Sequence, residues 1–232
     1  MMTETQWERL SALTGLAFAI LMAIAFAIQG VLPEADDSRS DIARFFADSH
    51  EDVMTGVVIR VAAGIFFLWF VGTLRSALAR AEGGTTRLSA VAYGAGILML
   101  ASGIGAMASL SAIAYNAERG VDPALASSFM AMTYIFFAGG AMAMAWLLFA
   151  TSLVVVRTRV FPKWVAATGA AIGLLAVIFA VIAPGGNSRF SAYPLFILWI
   201  VALSFVMFRQ APRGADHGIA RVKSEGPVDA AG

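Results

Sequence analysis

Six long apolar runs separated by short polar intervals organise the chain. They cover residues 11–31, 54–74, 88–115, 125–156, 164–183 and 192–208. A helix needs about 20 mostly apolar residues to cross the hydrocarbon core of a bilayer. Each run therefore predicts a transmembrane helix, and the fourth is long enough to tilt or to project from the membrane. Residues 1–10 precede the first run. Residues 209–232 follow the last; they are poor in apolar positions and rich in helix breakers, and predict a disordered cytoplasmic tail.

Boundary residues agree with these limits. Pro33 closes the first run, and Asp122-Pro123 opens the fourth as an N-cap followed by proline at the first helical position. Pro162 precedes the fifth run, which Pro184-Gly185-Gly186-Asn187 ends. Pro194 falls in the first turn of the sixth if Ser191 is its cap, where a missing N–H costs little. Ala25-Phe26-Ala27 resembles a signal-peptidase site, but the apolar run is too long for a signal and Glu4 and Glu8 offset Arg9. A retained first helix is expected.

The longest polar interval, residues 32–53, has a pattern of its own. Ser38-Arg39-Ser40-Asp41 fits a helix-start signal. Ile42, Phe45, Phe46 and Val53 then recur at helical spacing, with charged residues elsewhere around the helix. The pattern predicts a short amphipathic helix on the outer surface, capping the bundle.

Composition turns the pattern into a class. Hydrophobic residues make up 59% of the chain and charged residues 13%, with mean hydropathy +0.79. A soluble domain carries about 25% charged residues, so a soluble globular protein is excluded. The expected fold is an all-α polytopic membrane protein, a six-helix transmembrane bundle with the amphipathic helix in its first outer loop. Eleven of the Lys and Arg residues lie in the N-terminus, the second and fourth connections and the C-terminal tail, against four in the other three connections. That bias predicts cytoplasmic termini in a bacterial inner membrane. Trp7, Trp69 and Trp164 fall near the inner interface, Tyr115 and Tyr193 near the outer one.

Lipid tails are as apolar as leucine, so small residues that let backbones approach closely are what bring such helices together. Candidate faces are Ala19, Ala23 and Ala27 in the first run, Gly56 and Gly64 in the second, and Gly94, Gly96, Gly103 and Gly105 in the third. Gly139, Gly140 and Ala143 serve in the fourth, and Gly169 and Gly173 in the fifth. The last pair is a helix-packing face within the chain or an oligomer face.

Most chemistry is excluded by what is missing. The absence of cysteine removes disulfides, iron–sulfur clusters, Cys-ligated zinc and thiol catalysis. His50 and His217 both lie outside the apolar runs, which removes a bis-His haem within the membrane. No run carries His, Lys, Asp or Glu, so an intramembrane nucleophile lacks its base and a carboxylate proton relay lacks its members. The seven acidic residues of the 32–53 interval lack a calcium-loop spacing and read as a solvated face. No catalytic residue, cofactor or metal site is expected.

Arg60 is the one charged residue well inside a run. It lies six residues past Met54, so about 9 Å below the outer interface at about 1.5 Å per residue. Gly56 and Gly64 flank it by one turn, which turns this face toward another helix. Gln29, Ser109, Ser111, Thr133 and Tyr134 should lie at similar depth, with Gln29 and Tyr134 able to offer an oxygen to the guanidinium. Two readings follow. In one, Arg60 and these groups form an outward-facing polar pocket that binds an anionic group; in the other, Arg60 snorkels or staples helices.

The order of features, "SRSDIARFFADSHEDVMTG", then "FFLWFVGTLRSALARAEGG", then "LSAVAYGAGILMLA", resembles small six-span membrane proteins of actinobacterial type, the DUF4386-like families. The resemblance covers most of residues 10–208; it implies a six-helix architecture and no activity. The function expected is a non-enzymatic membrane component, either a partner subunit or a binder of a lipid-like or apolar ligand. The alternative is a small transporter with the Arg60 pocket as its site. Expected partners are membrane lipids and another membrane protein or a second copy; a nucleic-acid partner is not expected.

Overall fold

The computed structural model describes residues 4–117, 120, 122–182 and 192–210. They form six helices: α1 (Glu4–Gln29), α2 (Arg39–Glu82), α3 (Arg87–Asn116), α4 (Pro123–Thr158), α5 (Lys163–Ile182) and α6 (Tyr193–Gln210). No strand occurs among the described residues. Five helices, α2 to α6, are long and apolar enough to cross a membrane, and α1 carries a shorter apolar stretch, Leu13–Gln29. The Pro184-Gly185-Gly186-Asn187 stop, the Ser191 cap, residues 211–232 of the tail and the Trp7 side chain lie outside the described residues.

The caps form as local chemistry dictates. Ser38 Oγ accepts the Asp41 N–H at 3.1 Å and donates to the Asp41 carboxylate at 2.6 Å. Asp122 Oδ1 accepts the Ala124 N–H at 2.8 Å, with Pro123 at the first helical position. α1 ends at Gln29 because Gly30 takes a left-handed conformation at φ 68°, available to glycine without a Cβ penalty.

The expected amphipathic helix forms. Within the 44-residue α2 it is set off from the second span by a kink at Ser49, whose φ −129° and ψ 17° are not helical. Ile42, Phe46 and Val53 are fully buried against Leu110 and Ile113 of α3 and Met130 of α4. The segment thus packs across the ends of α3 and α4.

Two ends of the bundle can be told apart by charge. The acidic end carries the α1–α2 and α3–α4 connections, with Asp36, Asp37, Asp41, Asp48, Glu51 and Asp52; the basic end carries Arg75, Arg80, Arg87, Arg157, Arg159 and Lys163. α1 packs on α2 and α6, α2 also on α3 and α4, and α4 on α3 and α5. α5 and α6 touch only lightly. A large core at the basic end joins Phe70, Leu74, Leu147, Phe196 and Leu203, while the smaller core described above fills the acidic end.

Small residues sit at the tightest crossings, though not always where spacing suggests. Of the Ala19–Ala23–Ala27 stripe only Ala19 packs inward; Ala23 and Ala27 are exposed. The buried face runs through Ser11, Gly15, Phe18, Ala19, Met22, Ala25 and Gln29. A Cβ on Gly15 would collide with Ser204 Oγ and fall 2.7 Å from Phe70 Cδ2 and 2.9 Å from Ile200 Cγ2. In α3, Gly96 receives Val71 and Gly105 receives Phe136, while Gly94 faces away from any neighbour. Gly169 and Gly173 turn inward, against Ser152 and Trp199 and against Phe149 respectively. This pair packs against neighbours within the chain.

At the basic end, Glu82 caps the following helix. Thr86 takes a left-handed conformation and makes no side-chain capping bond. Instead the Glu82 carboxylate accepts the N–H groups of Leu88 and Ser89 at 3.1 and 2.8 Å. Burial acts to raise the pKa of this carboxyl. Hydrogen bonds from Ser89 and Leu88 and the nearby Arg157 charge outweigh that and hold it below its ordinary value. A carboxyl with a depressed folded-state pKa stabilises the fold above its ordinary range, and that stabilisation is lost as pH falls through the folded value. Glu82→Ala is expected to cost about 1 kcal/mol at neutral pH. The gap between melting curves of the detergent-solubilised wild type and variant should close as pH falls below the ordinary carboxylate range, and a gap of constant size across pH would contradict the cap.

Candidate functional site

A cavity of about 370 Å³ opens inside the bundle where the two cores meet. All six helices contribute to its wall: Phe18, Met22 and Phe26 from α1, Val61, Gly64 and Phe67 from α2, Met99, Gly103 and Met107 from α3, Tyr134, Phe137 and Met144 from α4, Phe179 from α5 and Tyr193 from α6. Gly30, Val31 and Leu32 of the α1–α2 connection bound it toward the acidic end. The volume falls in the range of small-molecule pockets, about 300–1,000 Å³. The lining is almost wholly aromatic, aliphatic and thioether, and among the described residues Arg60 is the one charged side chain on it.

Local sequence explains how Arg60 comes to be there. Gly56, one turn before it, lets α1 approach; a Cβ at that position would fall 3.0 Å from Gln29 Cβ and 3.4 Å from the Ala25 carbonyl. Gly64, one turn after it, receives Leu100 of α3, which would lie 2.8 Å from an added Cβ. The Arg60 face of α2 is therefore drawn into the bundle, and Arg60 is only 9% exposed. The flanking-glycine pattern thus placed this face correctly.

The guanidinium finds an aromatic ring and no counter-charge. Its Cζ stands 4.4 Å from the centroid of the Phe26 ring, a cation–π contact worth up to about 2 kcal/mol when desolvated. Phe26 in turn meets Tyr193 edge-on, with centroids 6.1 Å apart. Arg60 Nε is buried without a hydrogen-bond partner, and the described residues give the side chain no ion pair.

The expected polar cluster does not assemble into one site. Of Arg60, Gln29, Ser109, Ser111, Thr133 and Tyr134, only Arg60 and Tyr134 line the cavity. Ser109 and Thr133 donate to the carbonyls of Gly105 and Phe129 four residues back on their own helices, at 3.1 and 2.9 Å. Ser111 is half-buried and off the lining. Tyr134 donates to the Pro33 carbonyl at 2.8 Å, which ties the α1–α2 connection to α4. Gln29 is 3% exposed, packed at Gly56, with both amide atoms unpartnered. The pocket is thus apolar with a single cation, not polar as expected.

Residue pattern did not reveal Phe26 and Tyr193, which complete the surroundings of Arg60. Phe26 precedes Gln29 by one helical turn, so a search for π-faces beside the polar positions of α1 would have found it. Among the described residues no group of three or more His, Cys, Asp or Glu side chains is placed to hold a metal ion. The described residues of this arrangement can line an apolar chain and present one cation to it.

No known protein-family model matches the chain, and neither the curated proteins nor the solved structures contain a match.

Proposed function

We propose that this protein is a six-span, non-enzymatic component of a bacterial inner membrane, with both termini cytoplasmic, and that it binds a lipid-like or apolar ligand inside its helical bundle. The observation that carries the reading is the cavity of about 370 Å³ with a nearly continuous wall of Phe, Met, Leu and Ile side chains. Small residues at the surrounding crossings pack the helices closely, and Gly103 on the wall adds no side chain to the space. The sixth span is α1, whose apolar stretch Leu13–Gln29 packs along α2 and α6. The competing idea of a permease with a polar pocket around Arg60 lacks its polar lining, since Gln29, Ser109, Ser111 and Thr133 lie off the cavity.

Photolabelling tests this directly. A medium-length alkyl chain is the simplest probe of an apolar space of small-molecule size. Dodecanol bearing a terminal diazirine is irradiated with the protein in lipid nanodiscs, and adducts are mapped by mass spectrometry. Adducts on Met22, Met99 and Phe179, suppressed by excess dodecanol, are the expected result. Labelling confined to outward residues such as Ile65, Leu98 and Leu198, which are 65%, 58% and 64% exposed, would overturn the reading.

A further inference from the structure

We infer that the ligand is a single-chain amphiphile with an anionic headgroup, seated with its head at Arg60 and its chain running toward Phe67, Met99 and Met144. The inference rests on the cavity-binding reading above and goes further, to charge and orientation. Three observations carry it. Arg60 is nine-tenths buried, lies on the cavity wall and has an unpartnered Nε. A charge in that position is held by one aromatic face and by no carboxylate among the described residues. An uncompensated buried charge is strongly unfavourable, and a guanidinium is the side chain best matched to a planar carboxylate or a phosphate, which it can engage through two parallel N–H···O bonds.

Shape supplies the rest. Arg60 stands toward the acidic end, near the Gly30–Leu32 connection, whereas Phe67, Met99 and Met144 belong to the core of the basic half. The cavity is therefore polar at one end and apolar along its length. The thioethers of Met22, Met99, Met107 and Met144 are flexible and polarizable, and accommodate a chain without demanding one shape. At about 370 Å³ the space is of small-molecule size, which favours a single chain.

Competition for the photolabel in the wild-type protein tests the headgroup without any mutation. Dodecanoate and dodecyl phosphate are compared with dodecanol as competitors at pH 7.5. Either anion is expected to compete about tenfold more strongly than the alcohol, and their ratio distinguishes a carboxylate from a phosphate head. In Arg60→Gln the anion preference should vanish while labelling by the neutral probe persists; in Arg60→Lys part of the preference should remain. Equal competition by all three compounds, with the cavity still labelled, would overturn the anionic head and leave the apolar-binding reading standing. Failure of every compound to protect the cavity residues would instead overturn the binding reading itself.

Discussion

Replacing Gly15 with valine is expected to lower the melting temperature of the solubilised protein by about 10 °C, as overpacking of about 3 kcal/mol implies for a chain of this size. Gly15 marks the place where α1, α2 and α6 come together. An added Cβ meets Ser204 Oγ at once and finds Phe70 and Ile200 within 2.9 Å. Phe70 and Ile200 are fully buried, so neither can swing aside. Ser204 belongs to the problem in a second way, since its hydroxyl is buried without a hydrogen-bond partner. Ser204→Ala removes that unpaired group and should be neutral or slightly stabilising. Ser204→Gly should restore part of the stability lost in Gly15→Val, because it clears the nearest of the three obstructions and leaves the other two. Thermal melts followed by circular dichroism in one detergent decide the matter. Additive effects of Gly15→Val and Ser204→Gly would mean that the two positions do not meet.

The second large effect concerns Gly103, where filling the cavity should abolish binding without harming the fold. Gly103 lies on the cavity wall, and a Cβ built there has no heavy atom within 4 Å. Leucine or phenylalanine at this position points into free space. Glycine in a helix interior costs about 1 kcal/mol relative to alanine, so Gly103→Leu should melt at or above the wild-type temperature. Ligand and stability are thereby separated: Gly15→Val damages assembly, whereas Gly103→Leu leaves assembly intact and removes the space. A fall in melting temperature comparable to that of Gly15→Val would show that the space at Gly103 is already occupied by protein.

The contrast between these two glycines shows what sequence could and could not supply. Span positions were legible because about 20 apolar residues in a row have few other uses. Predicted and observed helix limits agree within about two residues for α3 to α6. The Ser38 and Asp122-Pro123 caps were legible because capping is local chemistry. The inward turn of Arg60 was legible from the glycines one turn to either side of it.

The cavity was not legible, for a physical reason. In a membrane protein the side chains that face lipid, those that face protein and those that face a cavity are all apolar. Hydrophobic periodicity, which separates inside from outside in a soluble helix, therefore carries little contrast. Ala19, Ala23 and Ala27 formed a regular stripe, yet the true contact face of α1 is set by Gly15 and Ala25, whose partners lie on other helices. The same loss of contrast hid Phe26, one phenylalanine among many until a neighbouring helix brings a guanidinium to 4.4 Å from its ring. The amphipathic pattern of Ile42, Phe46 and Val53 was legible, but the kink at Ser49 and the packing of this segment across α3 and α4 depend on residues distant in sequence.

The account stands or falls on whether the interior space holds a ligand, and one paired measurement addresses that claim most directly. Wild type and Gly103→Leu, matched for melting temperature, are photolabelled with diazirine-bearing dodecanoate, and labelling of Met99 and Phe179 is compared. The account predicts strong, competable labelling of both residues in the wild type and its loss in the variant. Equal labelling of the two proteins at those residues would contradict it.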